Sequence, residues 1–446
     1  METQNNNLFE KVSYWLKSSI SLKAFTILIL SLLLLIPQSM IKSLIREREM
    51  LRQDAVAEVS EMWSDPQKVT GPLLTVPFYS EYTKDEKVRL RREFVHFLPE
   101  DLLITGQVET SELERGIFEV PVYETQLKIS GAFGPLDLRL VPALEDAHSI
   151  DWDNAFLTLG ITDQRGMEEG IKVNWEGVSM PVYPGSKLND LKSGITSPLD
   201  LQDTPKGNFT VNIAFKGSKS LSFIPSGKES TVNLTSNWPH PSFTGNYLPA
   251  DRDISENGFK ATWKVNEFNR NYPQAWIGND YFMNMMGSYF GTDMYIPVDD
   301  YQKSMRSAKY ALLTIVLTFL VYFLFEIFTK KKIHIIQYIL VGLALVLYYA
   351  LLVALSEHIS FQVSYVSSSL AIITIVTLYT LGFMQKLKYA LLMTGTLVTL
   401  YSFLFVLINA IDYALLMGTI GLMVILSAIM FSTRKINWYQ LSATPG

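Results

Sequence analysis

The uncharged run AFTILILSLLLLIPQSMI (residues 24–41) decides how the rest of the chain is read. At about 1.5 Å per helical residue it reaches the short end of what crosses a hydrocarbon core of roughly 30 Å. Such a run is either a cleaved signal or a permanent anchor. The following residues, Pro37-Gln38-Ser39-Met40-Ile41-Lys42, offer no small-x-small cleavage site, and the apolar part is long for a signal. We read it as an uncleaved anchor, so the chain beyond it stays on one side until the next crossing.

That next crossing comes late. Residues 310–328, 335–355, 363–383, 389–407 and 414–431 are apolar runs, and only the first contains a charge, Glu326 near its end. The links between them are too short for anything but tight turns between antiparallel neighbours. With the N-terminus in the cytoplasm, the inner side receives Lys11, Lys17 and Lys23, then Lys330, Lys331 and Lys332, then Lys386 and Lys388, then Arg434 and Lys435. The opposite loops carry Glu357 and Asp412. Lys42, Arg46, Arg48 and Arg52, and later Lys303, Arg306 and Lys309, run against this bias. They flank a long translocated segment, where the charge rule is weak.

Between the anchor and the bundle the pattern changes to that of strands. Phe209, Val211, Ile213 and Phe215 alternate with polar or small residues, as do Phe259, Ala261, Trp263 and Val265; this is the period of a half-buried strand. Leu127/Ile129 and Val232/Leu234 repeat the rhythm, and Gly71-Pro72, Gly134-Pro135, Pro184-Gly185 and Ser226-Gly227 are read as turns between runs. From Ile41 to about Ser60 the spacing is helical. The expected fold is a polytopic α-helical membrane protein of about six spans, one before and five after a large β-rich, sandwich-like extracytoplasmic domain. Its parts are a cytoplasmic N-terminus (1–23), a first transmembrane helix (24–41), the β-rich domain with a helical stalk at its start (42–308), and a five-helix bundle with a short cytoplasmic tail (309–446).

Composition narrows the function. The formal charge of -5 gives no broad basic footprint for nucleic acid. The absence of cysteine removes disulfides, thiolate metal sites and thiol nucleophiles. No P-loop, G-x-G-x-x-G, G-x-S-x-G or H-E-x-x-H occurs. Asp251-Arg252-Asp253-Ile254-Ser255 begins like a calcium loop, but Glu256 stands where the turn needs glycine and Thr262 where it needs a bidentate glutamate. A charged, solvated turn is expected there. The five histidines never fall at metal-ligand spacing on one element, so no catalytic, cofactor or metal residue is assigned.

Six residues remain as candidate functional or interaction positions. Trp238, His240 and Phe243 lie in SNWPHPSF, where two prolines stiffen the chain around an aromatic pair; packing on the sheet is the plainer role. Glu326, Glu357 and His358 are ionisable groups at the edges of spans, where anchoring is commoner than conduction. Thr374 and Thr377 are placed to bond a neighbouring helix.

The strings SNWPHPSFTGNYLPA, LSEHISF and TRKINWY, in that order, with the one-plus-five layout, resemble the CreD family of bacterial inner-membrane proteins. Supporting strings are Phe94-Val95-His96-Phe97-Leu98-Pro99-Glu100, Arg115-Gly116-Ile117-Phe118, Asp163-Gln164-Arg165-Gly166 and QYILVGL from Gln337. The resemblance implies residence in the inner membrane, a periplasmic β domain and a role in cell-envelope integrity or envelope stress, with no catalytic residue or ligand to carry over. The expected function is therefore a non-enzymatic envelope protein with a periplasmic binding or sensing domain, in contact with the lipid bilayer and an envelope protein or lipid partner. A transporter or lipid-handling protein is the alternative, and an extracytoplasmic hydrolase the second.

Overall fold

In the computed structural model, residues 20–135, 140–144, 147–188, 190–191, 193–201, 206–294, 300–329, 331–410 and 413–434 are described. Lys11, Lys17, Lys330, Asp412 and Lys435, used above for orientation, lie outside them. Among the described residues the helices are α1 (Ile20–Leu33), α2 (Leu35–Trp63), α3 (Phe282–Gly287), α4 (Asp300–Lys309), α5 (Ala311–Thr329), α6 (Ile335–Ser356), α7 (Phe361–Met384), α8 (Leu387–Asn409) and α9 (Ala414–Thr433). The chain divides into two compact units, one of residues 1–51 with 298–446 and one of residues 52–297.

The first unit is helical. Among the described residues six helices are long and apolar enough to cross a membrane, one near the N-terminus and five after the β region. The five later ones coincide with the apolar runs to within two residues at each end. The first is a near-continuous helix, interrupted only at Leu34 between α1 and α2. The cause is Pro37, which has no N–H to offer the Leu33 carbonyl and whose ring crowds it. The helical bonds Leu34 N to Leu30 O and Gln38 N to Leu34 O carry the helix past the interruption. Close packing in this unit depends on Gly342 of α6: a Cβ there would lie 2.3 Å from Leu34 Cδ1 and 2.9 Å from Phe319 Cζ. In α7, Thr377 Oγ1 meets Thr394 Oγ1 of α8 at 2.7 Å, whereas Thr374 bonds back to Leu370 O in its own helix.

The second unit is built of two sheets. The ten-stranded sheet is centred on Gln67–Lys84, which pairs with Lys87–Phe97, Ala155–Ile161 and, in parallel, Ser220–Phe223. The eight-stranded sheet runs in the spatial order Asp251–Ser255, Gly258–Asn266, Glu229–Ser236, Asp101–Arg115, Phe118–Phe133, Gly207–Ser218, Lys172–Trp175, Val178–Met180. The alternation seen in the sequence is the burial pattern: Phe209, Val211, Ile213 and Phe215 face inward, as do Ala261, Trp263 and Val265. Together with Val69, Val76, Leu157 and Leu221 of the other sheet they form one hydrophobic core. Each Val, Leu, Ile or Phe among them contributes about 1.5–3 kcal/mol by leaving water.

Two local expectations are corrected. Gly71-Pro72 is not a turn between strands but an irregularity inside the long strand Gln67–Lys84, where the register slips between Thr70 and Leu73. Proline lacks a ladder donor, and a bulge is where a strand tolerates it. Asp251–Ser255 is an edge strand paired with Gly258–Asn266, not a turn. All five of its residues are exposed, so no hydrophobic alternation marks it.

Candidate functional site

The carboxylates singled out in the bundle each meet a cation of the first helix. Lys23 of α1 forms an ion pair with Glu326 near the end of α5 and also donates to Ile333 O at 2.9 Å. Arg48 of α2 grips Glu357, at the end of α6, with two bonds: Nε to Oε1 at 2.8 Å and Nη2 to Oε2 at 2.9 Å. The Tyr301 hydroxyl of α4 adds a third at 2.9 Å, which leaves the Glu357 side chain only 5% exposed. Between these clips, buried Gln38 donates to Ala308 O at 2.9 Å. His358, adjacent to Glu357 in sequence, points to solvent.

Three of the seven cations that opposed the loop-charge bias have local partners. Arg48 serves Glu357, Lys303 lies 5.1 Å from the Phe361 ring centroid, and Arg306 reaches the Leu407 and Ala410 carbonyls at the end of α8. A cation at a helix C-terminus satisfies carbonyls that lack an intrahelical donor and complements the helix dipole.

In the β unit, the SNWPHPSF segment passes from Glu229–Ser236 of the eight-stranded sheet to Pro241–Gly245, the edge strand of the ten-stranded one. Asn237 accepts from Thr110 N at 2.8 Å and Thr110 Oγ1 at 2.6 Å, and donates to Thr110 O at 3.1 Å. Its carboxamide thus continues the ladder one step beyond the last pair, Ser236 with Val108. Trp238 is buried in the main core and donates Nε1–H to His240 O at 3.1 Å. Phe243 stacks edge-on against Phe259 and Trp263, at 5.9 and 5.6 Å. The segment is therefore held by its aromatic pair and by strand pairing of Phe243 with Thr292, and His240 is exposed.

A second polar cluster in this unit was quoted from the sequence only as a string. Where α2 ends, Asp163 accepts from Ser64 Oγ at 3.2 Å, Asp65 N at 2.9 Å and Arg165 N at 3.0 Å. Arg165 returns to Asp163 through Nε at 3.0 Å, to Asp65 at 2.9 Å and to the Glu61 carbonyl in the last turn of the helix. Gln67 fills the centre, donating to Ser64 Oγ, Asp163 O and Lys216 O while accepting from Asp163 N. Burial works against the Asp163 charge, but the bonds from Arg165 and Asp65 outweigh it and hold the carboxyl down at about 2. Gly166 has no room for a side chain, since a Cβ would stand 2.3 Å from Lys216 O. Val56, Val59 and Trp63 of α2 pack beside it on Leu113, Val120 and Val122.

His96, from the Phe94–Glu100 string, is buried between Trp276 and Phe282 with Nδ1 2.9 Å from Thr75 Oγ1. Burial pushes its imidazole down to about 3, opposed in part by a hydrogen bond involving the Gly278 backbone. Burial likewise raises the Tyr272 phenol to about 12; its hydroxyl donates to Pro225 O at 2.7 Å. The perturbed groups of this unit are engaged in holding loops and layers together. Among the described residues no three His, Asp or Glu side chains are grouped to hold a metal ion.

Comparison with known proteins covers nearly the whole chain. Inner membrane protein CreD of Escherichia coli (strain K12) is 36% identical over 434 residues, which cover 96% of this chain and 95% of that relative. A family model described as "Inner membrane protein CreD" matches residues 19–439, both the β unit and the spanning helices. With its six spanning helices, the chain belongs to the CreD family of inner membrane proteins.

Proposed function

We propose that this protein maintains cell-envelope integrity without catalysing a reaction: the β unit, on the periplasmic side, binds or senses an envelope component, and the helices anchor it and pass on its state. The observation that carries this role is the first helix. It holds ion pairs at Lys23 and Arg48 in the helical unit, and the last turn of α2 is tied into the β unit through Glu61, Ser64, Asp163 and Arg165. A helix bonded within each unit gives both a hold on the same element, as passing on a state requires. The short-loop cations Lys331, Lys332, Lys386 and Lys388, against Glu357 in an opposite loop, support cytoplasmic termini. The engagement of His96, Asp163 and Tyr272 in packing and hydrogen bonding supports a non-catalytic domain.

The test is photo-crosslinking in intact cells under envelope stress, with the reactive residue at exposed His240 and, as a buried control, at Trp238. An adduct with an envelope protein or polymer from position 240 supports the role. No adduct from position 240, nor from exposed Phe268 or Tyr183 on other parts of the surface, sinks it.

A further inference from the structure

The last spanning helix stands apart from the others: none of its central residues is buried against the rest of the protein. Between it and the helices α5 and α8 lies an apolar groove of about 980 Å³. The groove runs along α9 from Met417 to Ser432, about 22 Å at 1.5 Å per residue. Gly395 leaves it open, since a Cβ there would meet nothing within 4 Å, whereas at Gly421 the Phe403 ring lies across the α9 backbone.

The helix ends at one end of the groove carry positive charge. There it is lined by Leu324, Leu391, Ile429 and Ser432; Lys388 sits one turn beyond Leu391, and Arg434 two residues beyond Ser432. The Phe325 and Tyr389 rings, 5.2 Å apart, bring the last turn of α5 to the first of α8. Lys331 reaches the Phe383 carbonyl at the end of α7, so it belongs to the same end. Lys331, Lys332, Lys386, Lys388 and Arg434 are all exposed, and none forms an ion pair with a carboxylate among the described residues. Glu326, at this end, is already engaged by Lys23.

Loop lysines alone would follow from topology, and a groove alone from loose helix packing. Their continuity is what points to a ligand. We infer that the groove between α5, α8 and α9 is a binding site for an anionic phospholipid, its acyl chains along α9 and its phosphate between Lys388 and Arg434. Basic pockets at the ends of spanning helices recognise anionic headgroups in this way. A second copy of the chain is a poorer occupant. A two-fold axis along the membrane normal would set the same cations of both copies at the same end, where like charges repel. This inference does not depend on the sensing role of the β unit.

The full chain is reconstituted in nanodiscs of phosphatidylcholine with one-fifth phosphatidylglycerol, extracted in mild detergent, and its retained lipids are counted by native mass spectrometry. We expect at least one retained phosphatidylglycerol per chain, with a preference over phosphatidylcholine that falls about fivefold for each of Lys388→Gln and Arg434→Gln. Gly395→Leu, which fills open space, should lower retention of both lipids while leaving the helical circular dichroism unchanged. Equal retention of the two lipids by the parent chain overturns the inference. So does unchanged retention in all three variants, or a dimer that Gly395→Leu dissociates with no loss of lipid.

Discussion

Arg48 and Glu357 face each other through two parallel hydrogen bonds of 2.8 and 2.9 Å, although they stand 309 residues apart in the chain. The pair joins the first helix to the end of α6. Planar guanidinium-to-carboxylate pairing is geometrically selective, and lysine cannot reproduce it.

Removing one partner strands the other. Arg48→Gln should leave the nearly buried Glu357 carboxylate with only the Tyr301 hydroxyl and lower stability by about 2–3 kcal/mol, between the values for exposed and fully buried pairs. Arg48→Gln combined with Glu357→Gln should recover about half of the loss. Thermal unfolding of the detergent-solubilised chain measures both, and a double variant no more stable than the single one would refute the pairing as a source of stability.

The clamp at Asp163 gives a different signature. Asp163→Asn removes the charge that organises Arg165, Ser64 and Asp65, with an expected loss of about 2 kcal/mol for charge-assisted bonds. Gly166→Ala should act at the same place by contact with Lys216 O. If the two changes destabilise one cluster, their effects on the urea midpoint combine to less than their sum; strict additivity would show that they act separately.

His96 makes the β unit sensitive to mild acid. Its pKa falls from the ordinary 6.5 to about 3 in the folded state, so between those values the unfolded chain takes up a proton that the folded one refuses. Stability is complete above about 6.5 and declines as pH falls through the window. From pH 7 to 5.5 the expected loss from this residue is about 1 kcal/mol. His96→Asn should be weaker at pH 7 yet flatter over that interval, and parallel pH profiles in urea titrations would contradict it.

The absence of native cysteine permits a clean test of orientation. With a membrane-impermeant maleimide, spheroplasts carrying Ser255→Cys should be labelled, and those carrying Lys388→Cys labelled only after lysis. The reverse pattern would place the β unit in the cytoplasm.

Most of the architecture could be read from local pattern, because the forces that define it are local. Spanning helices need about twenty apolar residues in a row, and the buried strands around Val211 and Trp263 show their two faces in strict alternation. The edge strand Asp251–Ser255 escaped for the same reason, since neither of its faces is buried. The Gly71-Pro72 irregularity reads in sequence like any turn. The site was less legible. Glu326 and Glu357 stood out as charges among apolar residues, but their partners Lys23 and Arg48 lie about 300 residues away and looked like ordinary flanking cations. Asp163 and Arg165 form a pair two residues apart whose meaning comes from the helix end they receive. Trp238 and Phe243, conspicuous between prolines, belong to the core.

The two clips on the first helix also set a length. Lys23 and Arg48 are separated by about 37 Å of helix, longer than a hydrocarbon core of about 30 Å. Both ion pairs can therefore sit among headgroups and water as long as the hydrocarbon core is no thicker than about 37 Å. A thicker membrane would draw one pair into hydrocarbon, and a thinner one would leave apolar turns of α1 or α2 wet, each at a fraction of a kcal/mol per ångström of mismatch. The spacing of its two ion pairs thus matches the first helix to a bilayer of ordinary thickness.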